Sequence, residues 1–353
     1  MKLVAIVALA LLSFRAATAP YTFVFPRDHG AHPAYQSEWW YFTGHLRALD
    51  GHRFGFELTI FRFGIRPGNA RFAPDASRWH GSEVFPAHFA ITDVNDKTFV
   101  HDERFVRDAL GMGAASTGTL NVHAGDWSVR GFDPIVLHAT SGTNALDLAL
   151  RSEKAPAING EGGISRKGPC RSCASHYYSM TRLATTGTLV VGGTRYAVEG
   201  ESWMDHEFGS DELQANQRGW DWYALQLDDG RELMLYVLRQ KDGGVTPQSS
   251  GSLVARNGRV RHLRLSDFQT LALGMWKSPA SGAVYPSGWR VRVPSEGLDI
   301  TITPLLLDQE LIDQQLHVAY WEGDCDLSGT DGAHPVHGAA YVELTGYAGV
   351  LTF

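Results

Sequence analysis

Apolar and polar residues alternate with a period of two along most of this chain, the pattern of half-buried strands. Phe54, Phe56, Leu58 and Ile60 alternate with Gly55, Glu57 and Thr59. Turn signals bound such runs: Asp50-Gly51 precedes this strand, Asp228-Asp229-Gly230 separates Trp222–Leu227 from Leu233–Leu238, and Gly192-Gly193 joins Thr188–Val191 to Tyr196–Val198. Glu296-Gly297 joins Trp289–Val293 to Leu298–Thr303. Helical periodicity is confined to a short stretch, Asp211 to Gln217. The chain reads as all-β.

Two strands stand out for their aromatic content. Glu38-Trp39-Trp40-Tyr41-Phe42 opens one half and Trp220-Asp221-Trp222-Tyr223 opens the other, each followed by an Asp-Gly hairpin. Each half closes on a similar strand, Gly193-Thr-Arg-Tyr196-Ala-Val198 and Gly338-Ala-Ala-Tyr341-Val342. The repetition predicts two antiparallel β-barrels or sandwiches in tandem, with the boundary after Gly209: residues 20–209 and 210–353. Aromatic strands of this kind line apolar space more readily than they cover a surface. Trp39, Trp40, Tyr41, Tyr178, Trp203, Trp220, Trp222, Tyr223 and Tyr236 are therefore the candidate ligand-binding residues.

Between the halves lies Trp203-Met204-Asp205-His206-Glu207-Phe208-Gly209. On an extended strand Asp205 and Glu207 face one side and His206 the other. Two carboxylates so close raise the pKa of one, which makes a proton donor available at neutral pH. Asp205, His206 and Glu207 are candidate catalytic groups, with a polar latch between the halves and metal binding as the competing readings. Glu38, in an apolar strand, must be paired or neutralised; it is either an acid of the pocket or the partner of Arg62 or Arg182. His45 and His88 are further groups open to convergence with Glu38 and His206. Lys167 reads as a loop lysine, with ligand contact as the alternative. Ser37, Ser175 and Ser202 lack the Gly-x-Ser-x-Gly elbow of serine hydrolases. No P-loop, dinucleotide fingerprint or zinc-protease motif occurs, so no cofactor or metal is expected.

Lys2, the apolar run Leu3 to Leu12 and Ala17-Thr18-Ala19 have the form of a signal peptide over residues 1–19, too short for a membrane span. An exported protein, periplasmic or secreted, is the expectation. Without Lys2 and Arg15 there are 29 basic against 38 acidic residues, a net charge of −9. That balance argues against a nucleic-acid or anionic-membrane surface as partner. Cys170-Arg171-Ser172-Cys173 lies in a Gly/Ser/Pro-rich stretch without a following helix, so a local disulfide is favoured over a redox or zinc site.

Five segments together resemble the carotenoid 1,2-hydratase (hydroxyneurosporene synthase) family, and within it the exported AttH-like branch termed predicted secreted hydrolases. They are Glu38 to Leu46, Ser175 to Leu183, Gly200 to Gly209, Gly219 to Trp222 and Tyr341 to Tyr347. The resemblance implies two lipocalin-like antiparallel β-barrels and an apolar site at or between them. It also implies relatives that hydrate or cyclise hydrophobic polyenes. Asp205 and Glu207 match the family's acidic motif, whereas Leu235-Tyr236-Val237-Leu238 keeps a tyrosine where hydratases carry an acid. The function expected is binding of a hydrophobic lipid, isoprenoid or polyene-like ligand. Acid/base chemistry on that ligand is one reading, hydration, cyclisation or hydrolysis; non-catalytic carriage is the other.

Overall fold

The computed structural model describes residues 14–65, 81–210, 213–332 and 334–349. Among them the secondary structure is strands and four single-turn 3-10 helices, with no α-helix. Two large antiparallel sheets take their strands from Ser37–Gly209 and from Gln217–Leu344. In each sheet the Trp-rich strand sits mid-sheet, between its hairpin partner and the closing strand of the same half. Ser37–Ala48 lies between Arg53–Gly64 and Thr194–Gly209, and Gln217–Leu227 lies between Glu232–Gln240 and His334–Leu344. The tandem repeat is thus a repeat of strand order.

The predicted hairpins form, and their glycines explain why. Gly51 (φ 90°) and Gly230 (φ 82°) take the left-handed backbone that tight turns require. The first sheet curls until its two ends meet: Gly113 in one end strand packs on Phe85 and Val106 at the other, too close for a Cβ. Of the stretch 211–217 read as helical in the sequence, residues 211 and 212 lie outside the described residues, and 213–216 instead form a turn that leads into the strand at Gln217. The helix lacks an apolar stripe to bury, and the turn spans the gap between sheets.

Alternation assigns each strand two tasks. On Ser37–Ala48, Trp40, Phe42 and Leu46 enter the core of the first barrel, together with Phe54, Phe56, Leu58 and Ile60. A large apolar side chain buried this way contributes about 1.5–3 kcal/mol. Trp39 and Tyr41, on the opposite face, join Tyr177, Trp203, Trp222, Tyr236 and Tyr341 in a separate aromatic cluster between the barrels. The second barrel has its own core around Leu225, Leu235, Trp289 and Val342.

The barrels touch through polar pairs. His45 Nδ1 lies 2.5 Å from Asp324 Oδ1, and Thr92 donates to Gln309 Oε1 at 2.7 Å. Gly55 lets the backbones close: a Cβ there would stand 2.6 Å from Asp324 Cβ. Cys170 and Cys173 are bonded, and Cys325 is buried and free. Of the expected leader, residues 1–13 lie outside the described residues. Residues 14–19 lie against the first barrel, with Arg15 N donating to Ala34 O and Ala17 fully buried. Among the described residues no helix is long and apolar enough to cross a membrane.

Candidate functional site

A cavity of about 460 Å³ opens between the two sheets. One part of its wall is apolar: Trp39, Phe61, Phe63, Trp220, Trp222 and Leu238. The rest holds Asp205, Glu207, Glu322 and Glu343 with Tyr41, Tyr177, Tyr236, Tyr320 and Lys167. Residues two apart on a strand share a face, so Trp39 with Tyr41, Asp205 with Glu207, and Trp220 with Trp222 point into it together.

Asp205 is nearly fully buried. Trp203 Nε1 donates to Oδ1 at 2.7 Å, and the Tyr177 hydroxyl donates to Oδ2 at 2.5 Å. Trp222 Nε1 in turn donates to the Tyr177 oxygen at 3.2 Å, so the second barrel orients a ligand of the first barrel's acid. Burial raises the Asp205 carboxyl to about 7, against the hydrogen bonds from Ser179, Tyr177 and Trp203 that favour its charge. Glu207 is held differently, by Lys167 at 2.7 Å and by the Ser175 hydroxyl. Lys167 Nζ also stands 4.2 Å from the Tyr236 ring centroid, a cation–π contact.

Across the cavity, Glu343 accepts from Trp220 Nε1 at 2.8 Å and burial raises it to about 7. Glu322 accepts from Tyr41 and is pushed well above the carboxylate range by burial and by the charges of Glu57 and Glu343. Behind it Glu57 is fully buried, and that burial raises it to about 8. Asp205, Glu322 and Glu343 therefore keep protons up to near-neutral pH.

Five of the predicted site residues turn away from this space. Glu38, Trp40, His206 and Tyr178 face the interior of the first barrel, and Tyr223 faces that of the second. The cause is the same alternation that brings their neighbours in. Glu38 is a structural ion: Arg62 Nε donates at 2.8 Å, His206 Nε2 lies 2.8 Å away and His32 Nδ1 2.8 Å. Burial opposes its charge, yet Arg62, His206 and His32 outweigh burial and hold the carboxyl well below the usual range. His206 also reaches the Tyr178 hydroxyl at 3.0 Å. His32, Glu38 and His206 bring donor atoms within 4.8 Å of one another, a spacing open to a metal, but Arg62 already neutralises that carboxylate. His45 and His88 do not join this group; each pairs with an aspartate of the second barrel. Trp203 packs beside Trp222 and orients Asp205 from behind the wall.

Sequence reasoning passed over Tyr177, Tyr320, Glu322 and Glu343, and favoured a plain loop role for Lys167. Tyr177 and Glu343 stood inside the family segments without a pattern of their own to single them out. Lys167 arrives from a loop, for which no periodicity speaks.

The AttH-like family model matches residues 16–347. An AttH-type protein of Nitrosomonas europaea (NE1406) is 32% identical over 94% of this chain and 100% of its own, with a TM-score of 0.82. Kievitone hydratase from Nectria haematococca is 15% identical, covers 96% of both chains and gives a TM-score of 0.69. CghA, solved with Sch210972, is 12% identical over 89% of both chains with a TM-score of 0.51, a likeness of fold. No curated protein sequence matches. With a family match over nearly its whole length and a relative of the same group sharing its fold, the chain belongs to the AttH-like family.

Proposed function

We propose that this is an exported protein that binds a hydrophobic, unsaturated ligand between its two barrels and protonates it. The division into residues 20–209 and 210–353 is part of this reading, as is removal of the leader at residue 19. The observation that carries it is one cavity in which an apolar, tryptophan-rich wall faces carboxylic acids raised to near 7. A general acid works best with a pKa near the operating pH, and proton transfer of this kind contributes roughly 10²–10⁴-fold. Asp205 is the acid of choice because Tyr177, Trp203 and Trp222 fix its direction. Protonation of a double bond leaves a cation that Trp39, Trp220 and Trp222 would stabilise through their ring faces. Capture of that cation by water is hydration; capture by a second double bond is cyclisation. The fold neighbour named as a hydratase agrees in kind with the first.

A carrier without chemistry is the second reading, favoured by the pairing of Glu207 with Lys167 and Ser175. Incubation with terpene and polyene hydrocarbons in H₂¹⁸O, followed by mass spectrometry, separates the two. Incorporation of labelled oxygen or a cyclised isomer, lost in Asp205→Asn, supports catalysis. Quenching of tryptophan fluorescence with no product in either protein supports carriage, and absence of both refutes the apolar site.

A further inference from the structure

Four acids line the cavity among the described residues, and their surroundings divide them. Glu207 is tied to Lys167 and Ser175. Glu322 and Glu343 stand directly opposite each other on the neighbouring strands Val318–Asp331 and His334–Leu344. Side chains so paired have β-carbons about 4.5–5.5 Å apart. Two carboxylates at that spacing do not ionise together, and the deeper one keeps its proton. Glu322 is the deeper, 3% exposed; burial and the charges of Glu57 and Glu343 hold it well above the carboxylate range. Glu343 is half-buried and rises only to about 7, so it ionises first.

One strand orients an acid of each barrel. Trp222, directly opposite Glu343, turns its N–H to Tyr177, which donates to Asp205. Trp220, two residues earlier on the same face, gives its N–H to Glu343 Oε2 at 2.8 Å. The oxygens of the two acids are occupied differently. Trp203 and Tyr177 take one Asp205 oxygen each. Glu343 Oε1 has no hydrogen bond among the described residues, so it is the oxygen at which a water molecule in the cavity finds an acceptor.

We propose that Glu343 is a catalytic base: it holds the water that captures the cation formed when Asp205 protonates the ligand. This rests on the protonation argued above and commits it to hydration. The electron pair of the double bond takes the Asp205 proton to make a C–H bond, which leaves Asp205 a carboxylate and the adjacent carbon a cation. The water oxygen then bonds to that carbon as one of its O–H bonds breaks toward Glu343 Oε1. Alkene and water become an alcohol, and one proton has moved from Asp205 to Glu343; nothing is oxidised or reduced. Once the alcohol leaves, solvent filling the cavity takes the proton from Glu343 and returns one to Asp205.

Both steps leave a label when the whole protein turns over β-farnesene in D₂¹⁸O and the products are read by mass spectrometry. The cavity of about 460 Å³ equals about fifteen water volumes of ~30 Å³, which matches the carbon count of this polyene. The wild-type protein should yield an alcohol that carries ¹⁸O and deuterium on adjacent carbons. Glu343→Gln should lower alcohol formation by roughly 10²-fold or more. Its recovered hydrocarbon should still gain deuterium, because Asp205 continues to protonate and the cation gives a proton back. Asp205→Asn should lose both labels. Trp220→Phe, which keeps an aromatic ring but removes the N–H to Glu343, should lower alcohol formation roughly tenfold with deuterium uptake retained, and it carries the test alone if Glu343→Gln fails to fold. Alcohol formation at the wild-type rate in Glu343→Gln overturns the proposal and leaves Asp205 as the acid. Loss of both labels in a Glu343→Gln protein with the wild-type melting temperature overturns it too, as does a wild-type product that is cyclised and deuterated without ¹⁸O. Wild-type protein that leaves neither label refutes the protonation by Asp205 first, and the base falls with it.

Discussion

Asp205→Asn separates the energetic role of the cavity acid from its chemical one. The wild-type carboxyl rises from 3.8 to about 7 in the fold because its charge is costly there. Relative to the ionised state, that contribution to stability is fully present below about 3.8 and is lost as pH rises through about 7. About three pKa units correspond to roughly 4 kcal/mol as an upper limit. Asparagine has no charge to bury, so it escapes this loss. At pH 5 the variant should be less stable by about 1 kcal/mol, since its amide forces the Tyr177 bond to turn. By pH 8.5 it should have gained on the wild type by a few kcal/mol, toward that limit. Urea unfolding at half-unit steps from pH 4 to 9 measures the difference directly. Stability curves that run parallel over the whole range would refute the claim that Asp205 is held protonated in an apolar wall.

Glu38→Gln should leave Arg62 buried without its principal counter-charge and cost about 3–5 kcal/mol by thermal or urea unfolding. Its ligand affinity should be unchanged, because Glu38 faces away from the cavity. Gly55→Ala places a Cβ 2.6 Å from Asp324 Cβ and should cost about 1–3 kcal/mol, with weaker tryptophan quenching by polyene hydrocarbons as the barrels part. Trp222→Phe keeps the aromatic wall but removes the N–H to Tyr177 and should lower any turnover more than binding, as a split between kcat and KM would read. Reduction of the Cys170–Cys173 bond should lower stability by about 2 kcal/mol for so short a loop and loosen Lys167, three residues before it. An unchanged affinity for ligand after reduction would argue against a role for Lys167.

Period-two alternation made much of this architecture legible. It gave the hairpins, and it put Asp205 and Glu207 on one face with His206 on the other. The same rule, followed along Ser37–Ala48, would have separated Trp39 from Trp40. Grouping the aromatic run as one motif led instead to placing both in the cavity, along with Tyr223. Glu38 was open to pairing with Arg62 or Arg182; the hairpin register sets Glu38 opposite Arg62, while Arg182 binds Glu201 and Glu232. Glu322 and Tyr320 were invisible for a different reason. They meet Tyr41 and His88 from more than 200 residues away, as the spacing of these contacts records, and no local pattern reports such a meeting. The helix expected before Gln217 was an error of composition, since a few polar residues without an apolar stripe have nothing to pack.

The two-faced Trp strand has a consequence for how such proteins can diverge. Positions 39, 41, 205 and 207 can change the chemistry of the cavity without touching the interior of the first barrel. Their neighbours 38, 40 and 206 cannot change without disturbing a buried ion pair or a packed indole. Substitutions therefore divide by parity into those free to explore new ligands and those bound to preserve the scaffold. A single-residue insertion in this strand would exchange its two faces at once, turning Glu38 and Trp40 toward the cavity and Trp39 and Tyr41 into the barrel. A lineage built on this strand would vary its ligands by point substitution, and would rarely survive a change of length there.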